Sequence, residues 1–376
     1  MGQFILRRLG VMLLTALCLT FIVFFLTNLY PNLEKLAKTQ GNQRMSDVAV
    51  TSWLASRGYR SAIDPQIIEQ AINDEISSED FANAVGGFDF RLFRNYGEWL
   101  GIVPGYVIED GKGDIRARCA NHSTPDEDTS SFCGIIQGHW GLSTVFKDEV
   151  GKIISKRLGL TGWLMLFVML LMVPTALIVG VLAGMREGSR LDRSLSTFSI
   201  ASTATPEYVS GVIFITLLAS SVGVKWFKGT ATSAADDITF ENFFLPVLTI
   251  SLYGMGYIAR MTRASMTEVM TAQYVRTARL KGVSFRNIVL KHALRNALIA
   301  PFTVIMLQFP WLLNGVVIVE TLFNYKGFGW TLVQAAGNND IDLLLACSVA
   351  AVFVVLITQL ISDIGYVFLN PRIRIA

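Results

Sequence analysis

Six apolar runs, each long enough to cross a bilayer as a helix, decide what this chain can fold into. The first is the plainest: after Arg7 and Arg8, no charge occurs from residue 9 to residue 29, a length that makes about 30 Å of helix. The run is too long for the apolar region of a signal peptide, and Leu26-Thr27-Asn28-Leu29-Tyr30 offers no small-residue cleavage site. It reads as an uncleaved span. Five further runs lie at about 159–185, 197–222, 243–259, 298–319 and 343–369. Only 16% of the 376 residues are charged and 52% are hydrophobic, whereas a soluble domain carries roughly 25% charge. The predicted fold class is therefore an all-α integral membrane protein with six transmembrane helices. A net charge of +3 gives no argument for nucleic acid.

The charges that remain orient the chain. Fifteen Lys and Arg in the termini and short loops fall on the face that holds the N-terminus, against three in the short loops opposite. The positive-inside rule places both ends in the cytoplasm. Residues 31–157 form the only large polar region, with 18 Asp and Glu against 14 Lys and Arg, and they read as a mainly helical extracytoplasmic insertion after the first span (1–30). Ser46 before Asp47-Val48-Ala49, and Asp64-Pro65, suit helix starts, because a capping oxygen and a first-turn proline match the orphan N–H groups there. A further helix is expected over 90–100, with breaks at Gly86-Gly87 and Gly111-Lys112-Gly113 and a loop over 102–136. The other five spans, residues 158–376, make the core.

One stretch of that core is not an ordinary loop. Residues 264–297 carry Arg276, Arg279, Lys281, Arg286, Lys291, His292 and Arg295, yet keep helical apolar spacing on both sides of Gly282. Val275, Ala278 and Val283, before and after the turn, and Ile288, Val289 and Ala293 beyond it give each half an apolar stripe. Two short helices meeting at a glycine corner make a knob, whose apolar ridge suits a groove in a soluble partner. An amphipathic helix lying on anionic membrane lipid is the competing reading.

In this knob Arg276-Thr277-Ala278, Gly282 and Ile299-Ala300-Pro301 resemble the Glu-Ala-Ala, glycine and apolar-proline signature of the coupling loop in binding-protein-dependent ATP-binding-cassette permeases. Arg276-Thr277-Ala278-Arg279 before Lys281-Gly282 is more particularly similar to the oligopeptide/dipeptide/nickel permease family. Phe4 to Leu9, Gly138-His139-Trp140-Gly141-Leu142-Ser143, Arg157-Leu158 with Thr161, Glu320-Thr321-Leu322-Phe323, Gly327-Phe328-Gly329, Asp340 and Asn370-Pro371-Arg372 agree in the same order. The resemblance covers about residues 1–30 and 137–376. It implies a two-helix cytoplasmic coupling loop formed by Arg276, Thr277, Ala278, Arg279, Lys281, Gly282 and Phe285. It also implies the partners: a second homologous permease, two ATPase subunits that bind ATP and Mg, and an extracytoplasmic solute-binding protein at a bacterial inner membrane. The chain has no Gly-x-x-x-x-Gly-Lys-Ser/Thr phosphate loop, so no ATPase site, cofactor or catalytic residue of its own is expected. Lys326, Gly159 and Glu207 depart from the family pattern, which has proline, proline and a small residue there.

Pathway candidates come from groups that are costly in a bilayer. Glu207, in the third run, is the carboxylate placed to line a path and to receive a cationic group; Glu320 and Asp363 lie near span ends. Tyr253, Met255 and Tyr257 alternate with Gly254 and Gly256, which suits either a pore wall or close helix packing. In the insertion, Cys119, His122, Cys133 and His139 have a spacing zinc can use. Oxidising conditions outside an inner membrane favour a Cys119–Cys133 disulfide instead, and no metal is expected. The functional class expected is a permease subunit for peptides or peptide-like solutes. A secondary transporter or channel working without an ATPase is the alternative, and a membrane-anchored sensor or enzyme a third.

Overall fold

The uncharged first run forms α1 (Gly2–Thr27) in a computed structural model that describes residues 2–56, 58–59, 91–105, 107–109, 115–117 and 132–369. Leu29 is extended and Pro31 enters the first turn of α2 (Tyr30–Gln40), a helix that the sequence pattern does not announce. Ser46 caps α3 (Asp47–Ser56), its Oγ accepting from the Ala49 N–H at 3.4 Å. The helix expected at 90–100 is α4 (Arg91–Leu100). The expected loop over 102–136 requires correction: β1 (Val107–Glu109) pairs antiparallel with β2 (Ile115–Ala117), Ile108 opposite Arg116. Val107, Ile108 and Ile115 are β-branched and flank a glycine-rich segment, a hairpin signal that outweighs the polar composition. The helix start at Asp64-Pro65 and the breaks at Gly86-Gly87 and 111–113 lie outside the described residues.

The core follows as α5 (Val150–Gly184), α6 (Arg190–Ala204), α7 (Glu207–Phe214) and α8 (Phe240–Thr271). Then come α9 (Gln273–Leu280), α10 (Phe285–Asn287), α11 (Leu294–Ala297), α12 (Ile299–Leu322), α13 (Phe328–Gly337) and α14 (Ile341–Leu369). Among the described residues four helices are long and apolar enough to cross a membrane, and two bent pairs bring the number to six when each is taken as one span. The third expected span is not continuous. Pro206 disfavours helical geometry at Thr205, which is extended at φ −90° and ψ 121°, and the helices on either side bend by 105°. The fourth is longer than expected: helix continues past residue 259 to Thr271, because Thr262 and Met266 keep a fully buried face.

The described residues fall into two compact units. In the unit of residues 1–12, 156–333 and 353–376, α8 is central. Its Leu245, Ile250 and Ile258 pack with Leu164, Val168 and Met172 of α5 and with Leu312 and Val316 of α12. In the unit of residues 13–155 and 334–352, Leu33, Leu36 and Ala37 of α2, Val50 and Leu54 of α3 and Trp99 of α4 share a core with Phe24 of α1 and Ile341 and Leu345 of α14. Among the described residues, the helices of the polar insertion share this core with residues of the first and last runs. Asp340 fixes that arrangement by accepting from Ser143 Oγ at 2.6 Å and from the Val145 N–H at 3.2 Å.

Candidate coupling knob and translocation site

The corner at Gly282 is a complete helix stop. Gly282 has φ +75°, its N–H donates to Arg279 O at 3.0 Å, and the Val283 N–H donates to Ala278 O at 3.2 Å. These are the paired bonds that close a helix on a left-handed residue. Val283 then packs on Ala278, joined by Val275 and Ile288. The chain turns into α10, a π-helical turn over Ile288–Ala293, and α11. The knob is tied to its surroundings on three sides. Val289, Ala293 and Ala297 pack on Met266 and Met185. Ser265 Oγ donates to Ala297 O at 2.8 Å. The Arg186 guanidinium lies 5.4 Å from the centre of the Phe285 ring.

This geometry corrects the expected docking ridge. Ala278 is 7% exposed, and Val275 and Ile288 less, because the two halves of the knob bury these residues against each other. They hold the corner. The outward apolar groups are Leu280, which is 83% exposed, with Tyr274, Phe285 and Leu290. Arg276, Thr277, Arg279, Lys281 and Gly282 are exposed around them. A rigid corner topped by one fully presented leucine and ringed by cations is suited to seat in a cleft.

Just before the knob, Arg263 of α8 meets Asp192 of α6, Nε to Oδ1 at 2.5 Å and Nη2 to Oδ2 at 2.8 Å. Asp192 is 2% exposed and also accepts from the Gly188 N–H and from Ser196 Oγ. Sequence reasoning missed this pair. The only local signal is Ser189-x-x-Asp192, a capping pattern, and the Ser189 hydroxyl does accept from the Asp192 N–H at 3.1 Å.

The pathway candidates separate into different roles. Glu207 is half-buried at the start of α7, immediately after the break. Tyr253 of α8 stacks on Trp311 of α12 with ring centres 4.5 Å apart and planes 12° from parallel. Met255 is buried in the core, while Tyr257 is 50% exposed on another side of α8. Gly254 and Gly256 serve helix packing: a Cβ at the first would strike Met172 of α5, and at the second Ser202 of α6. Asp363 faces Arg8 at 3.4 Å.

Glu320 is not a wall residue. It is 0% exposed, accepts from Thr161 Oγ1 at 2.5 Å and from the Trp330 N–H at 3.0 Å, and lies where a Cβ on Gly327 would collide with it. Thr161 Oγ1 in turn accepts from the Phe328 N–H at 2.8 Å, and Arg157 donates to Lys326 O at 2.7 Å. The carboxylate therefore clamps the turn between α12 and α13 onto α5. In the same turn the Tyr325 hydroxyl donates to Leu160 O at 2.9 Å, and burial, with the nearby Glu320 carboxylate second, pushes this phenol above its ordinary range.

Cys18 and Cys347 are free thiols, whereas Cys133 is buried and disulfide-bonded. Its expected partner Cys119, with His122, lies outside the described residues. Among the described residues no three His, Cys, Asp or Glu are grouped to hold a metal.

Residues 176–375 match the family described as "Binding-protein-dependent transport system inner membrane component". The chain is similar to "Probable peptide ABC transporter permease protein y4tP" of Sinorhizobium fredii (strain NBRC 101917 / NGR234), 35% identical over 296 residues, which cover 77% of this chain and 94% of that protein. It is similar to "Glutathione transport system permease protein GsiC" of Escherichia coli (strain K12), 34% identical over 239 residues, 64% of this chain and 76% of that one. It also resembles "Oligopeptide transport system permease protein AppB" of Bacillus subtilis (strain 168), 33% identical over 246 residues, 64% of this chain and 77% of that one.

Proposed function

This chain belongs to the family of binding-protein-dependent transport system inner membrane components, and on that premise we propose that it is one of two membrane subunits of an ATP-driven importer for peptides or peptide-like solutes. The observation that carries the reading is the knob: a corner closed at Gly282, packed from within by Val275, Ala278 and Ile288, and presenting Leu280 and Phe285 outward. A surface that rigid can pass movement from a closing ATPase to the helices it is tied to. Leu280 and Phe285 enter the cleft, and Arg276, Arg279 and Lys281 face its rim.

ATP and Mg are assigned to two partner ATPase subunits, since this sequence has no phosphate loop. One chain offers one knob, so a second homologous permease supplies the other. Fifteen Lys and Arg in the termini and short loops of one face, against three in the short loops opposite, support cytoplasmic ends and a cytoplasmic knob. The insertion then meets an extracytoplasmic binding protein that delivers the solute. The relatives named for peptide, glutathione and oligopeptide transport support the solute class.

Purification in mild detergent followed by mass spectrometry tests this. A second permease and an ATP-binding-cassette ATPase should be recovered with the chain. Solute uptake by the chain in vesicles free of any ATPase would replace this reading with a secondary transporter or channel.

A further inference from the structure

Glu207 opens α7 where the third span breaks, and among the described residues no cation and no hydrogen-bond donor reaches its carboxylate. An unpaired carboxylate at the break of a membrane span needs water or a cation in front of it. The group opposite is a glycine. A Cβ on Gly315 of α12 would lie 3.5 Å from Glu207 Oε1 and 3.9 Å from the Trp311 ring. Trp311 is stacked on Tyr253, and both rings are half-buried. One carboxylate and an aromatic pair therefore converge from α7, α8 and α12 around a position kept free of side chain.

That combination selects among ligands. A single carboxylate is too few oxygen ligands for a bound Ca2+ or Mg2+. An acidic group would be repelled, and a neutral one would leave the charge unpaired. An ammonium group satisfies both parts, donating a charge-assisted hydrogen bond to the carboxylate and making a cation–π interaction with the ring face. We propose that Glu207, with the stacked Tyr253–Trp311 pair, receives the ammonium group of a cationic solute during its passage. The inference rests on the importer reading above and adds the chemical class that the passage prefers.

The test uses the complete importer with its binding protein in proteoliposomes and three probes: trialanine, N-acetyl-trialanine and N-acetyl-Ala-Lys-Ala. Capture by the binding protein is measured separately, and uptake is compared at saturating capture. The wild-type complex should take up trialanine about tenfold faster than its acetylated form, the scale of one charge-assisted hydrogen bond. Glu207→Gln should remove that preference, slowing trialanine and leaving the acetylated peptide no slower than in the wild type, and Glu207→Asp should keep most of it. Trp311→Leu, which retains the acid, should reduce the preference about threefold, in line with removal of one cation–π interaction. The lysine peptide distinguishes the sources: a rate like trialanine's extends the site to side-chain ammonium groups, and a rate like the acetylated peptide's restricts it to the N-terminus.

Equal rates for trialanine and its acetylated form in the wild type would overturn the ammonium site, as would an undiminished preference in Glu207→Gln. Loss of the second permease from purified Glu207→Gln complex would overturn it too, by making the carboxylate an assembly contact. Uptake of none of the three by the wild-type complex would instead count against the peptide-importer reading.

Discussion

Arg263 grips Asp192 with both arms of its guanidinium, at 2.5 and 2.8 Å, and so joins the first turn of α6 to α8 one helical stretch before the knob. Because Asp192 is almost fully buried and Arg263 is partly open to solvent, removing the arginine strands a charge whose remaining partners are the Gly188 N–H and Ser196 Oγ. Arg263→Met is expected to cost about 2–3 kcal/mol, below the full value for breaking a buried pair because one end is solvated. Asp192→Asn combined with Arg263→Met should recover much of that loss. Thermal unfolding of the detergent-purified protein checks this; a double variant less stable than Arg263→Met alone would contradict the assignment.

Much of this fold was legible because an apolar run of about twenty residues has few alternatives to a helix in a membrane. What the sequence left open was the partner of each apolar face. Val275, Ala278 and Ile288 were visible as a stripe, but periodicity reports that a face is buried and not what buries it; here the two halves of the knob cover each other, and Leu280 is the outward group. The stack of Tyr253 on Trp311 joins residues far apart in the chain, so no local spacing could show it. The break at Pro206 was available in the Thr205-Pro206 step but was overridden by the length of the apolar run.

Glu320 and Thr161 offer a test of the turn between α12 and α13. Glu320→Ala would leave Thr161 Oγ1 and the Trp330 N–H without their acceptor in a closed site, a loss of about 2–3 kcal/mol for such buried groups. Glu320→Gln keeps the shape and one acceptor and should cost less. Melting temperature, followed with solute selectivity, separates the roles. Altered selectivity at unchanged stability would return Glu320 to the pathway.

The disulfide of Cys133 makes a chemical prediction, since Cys18 and Cys347 are free. Non-reducing peptide mapping should find the fragment holding Cys133 linked to that holding Cys119, which closes a loop worth roughly 3 kcal/mol of unfolded-chain freedom. An alkylatable thiol at Cys119, or zinc released stoichiometrically by acid, would reject the pairing.

In the proposed importer the knob couples this chain to an ATPase through the Leu280 and Phe285 face, while Gly282 and Ala278 hold its shape. Gly282→Asn should be tolerated, because asparagine accepts the left-handed region and a Cβ there meets open space. Ala278→Asp should collapse the corner by burying a charge among Val275, Val283 and Ile288. The most direct measurement is solute-stimulated ATP hydrolysis by the reconstituted complex carrying Leu280→Glu, a change at a position 83% exposed that leaves the knob's interior untouched. Stimulation should fall at least about tenfold, the scale on which truncating a central anchor weakens an interface, with thermal stability of the permease unchanged. Full stimulation in that variant would contradict it.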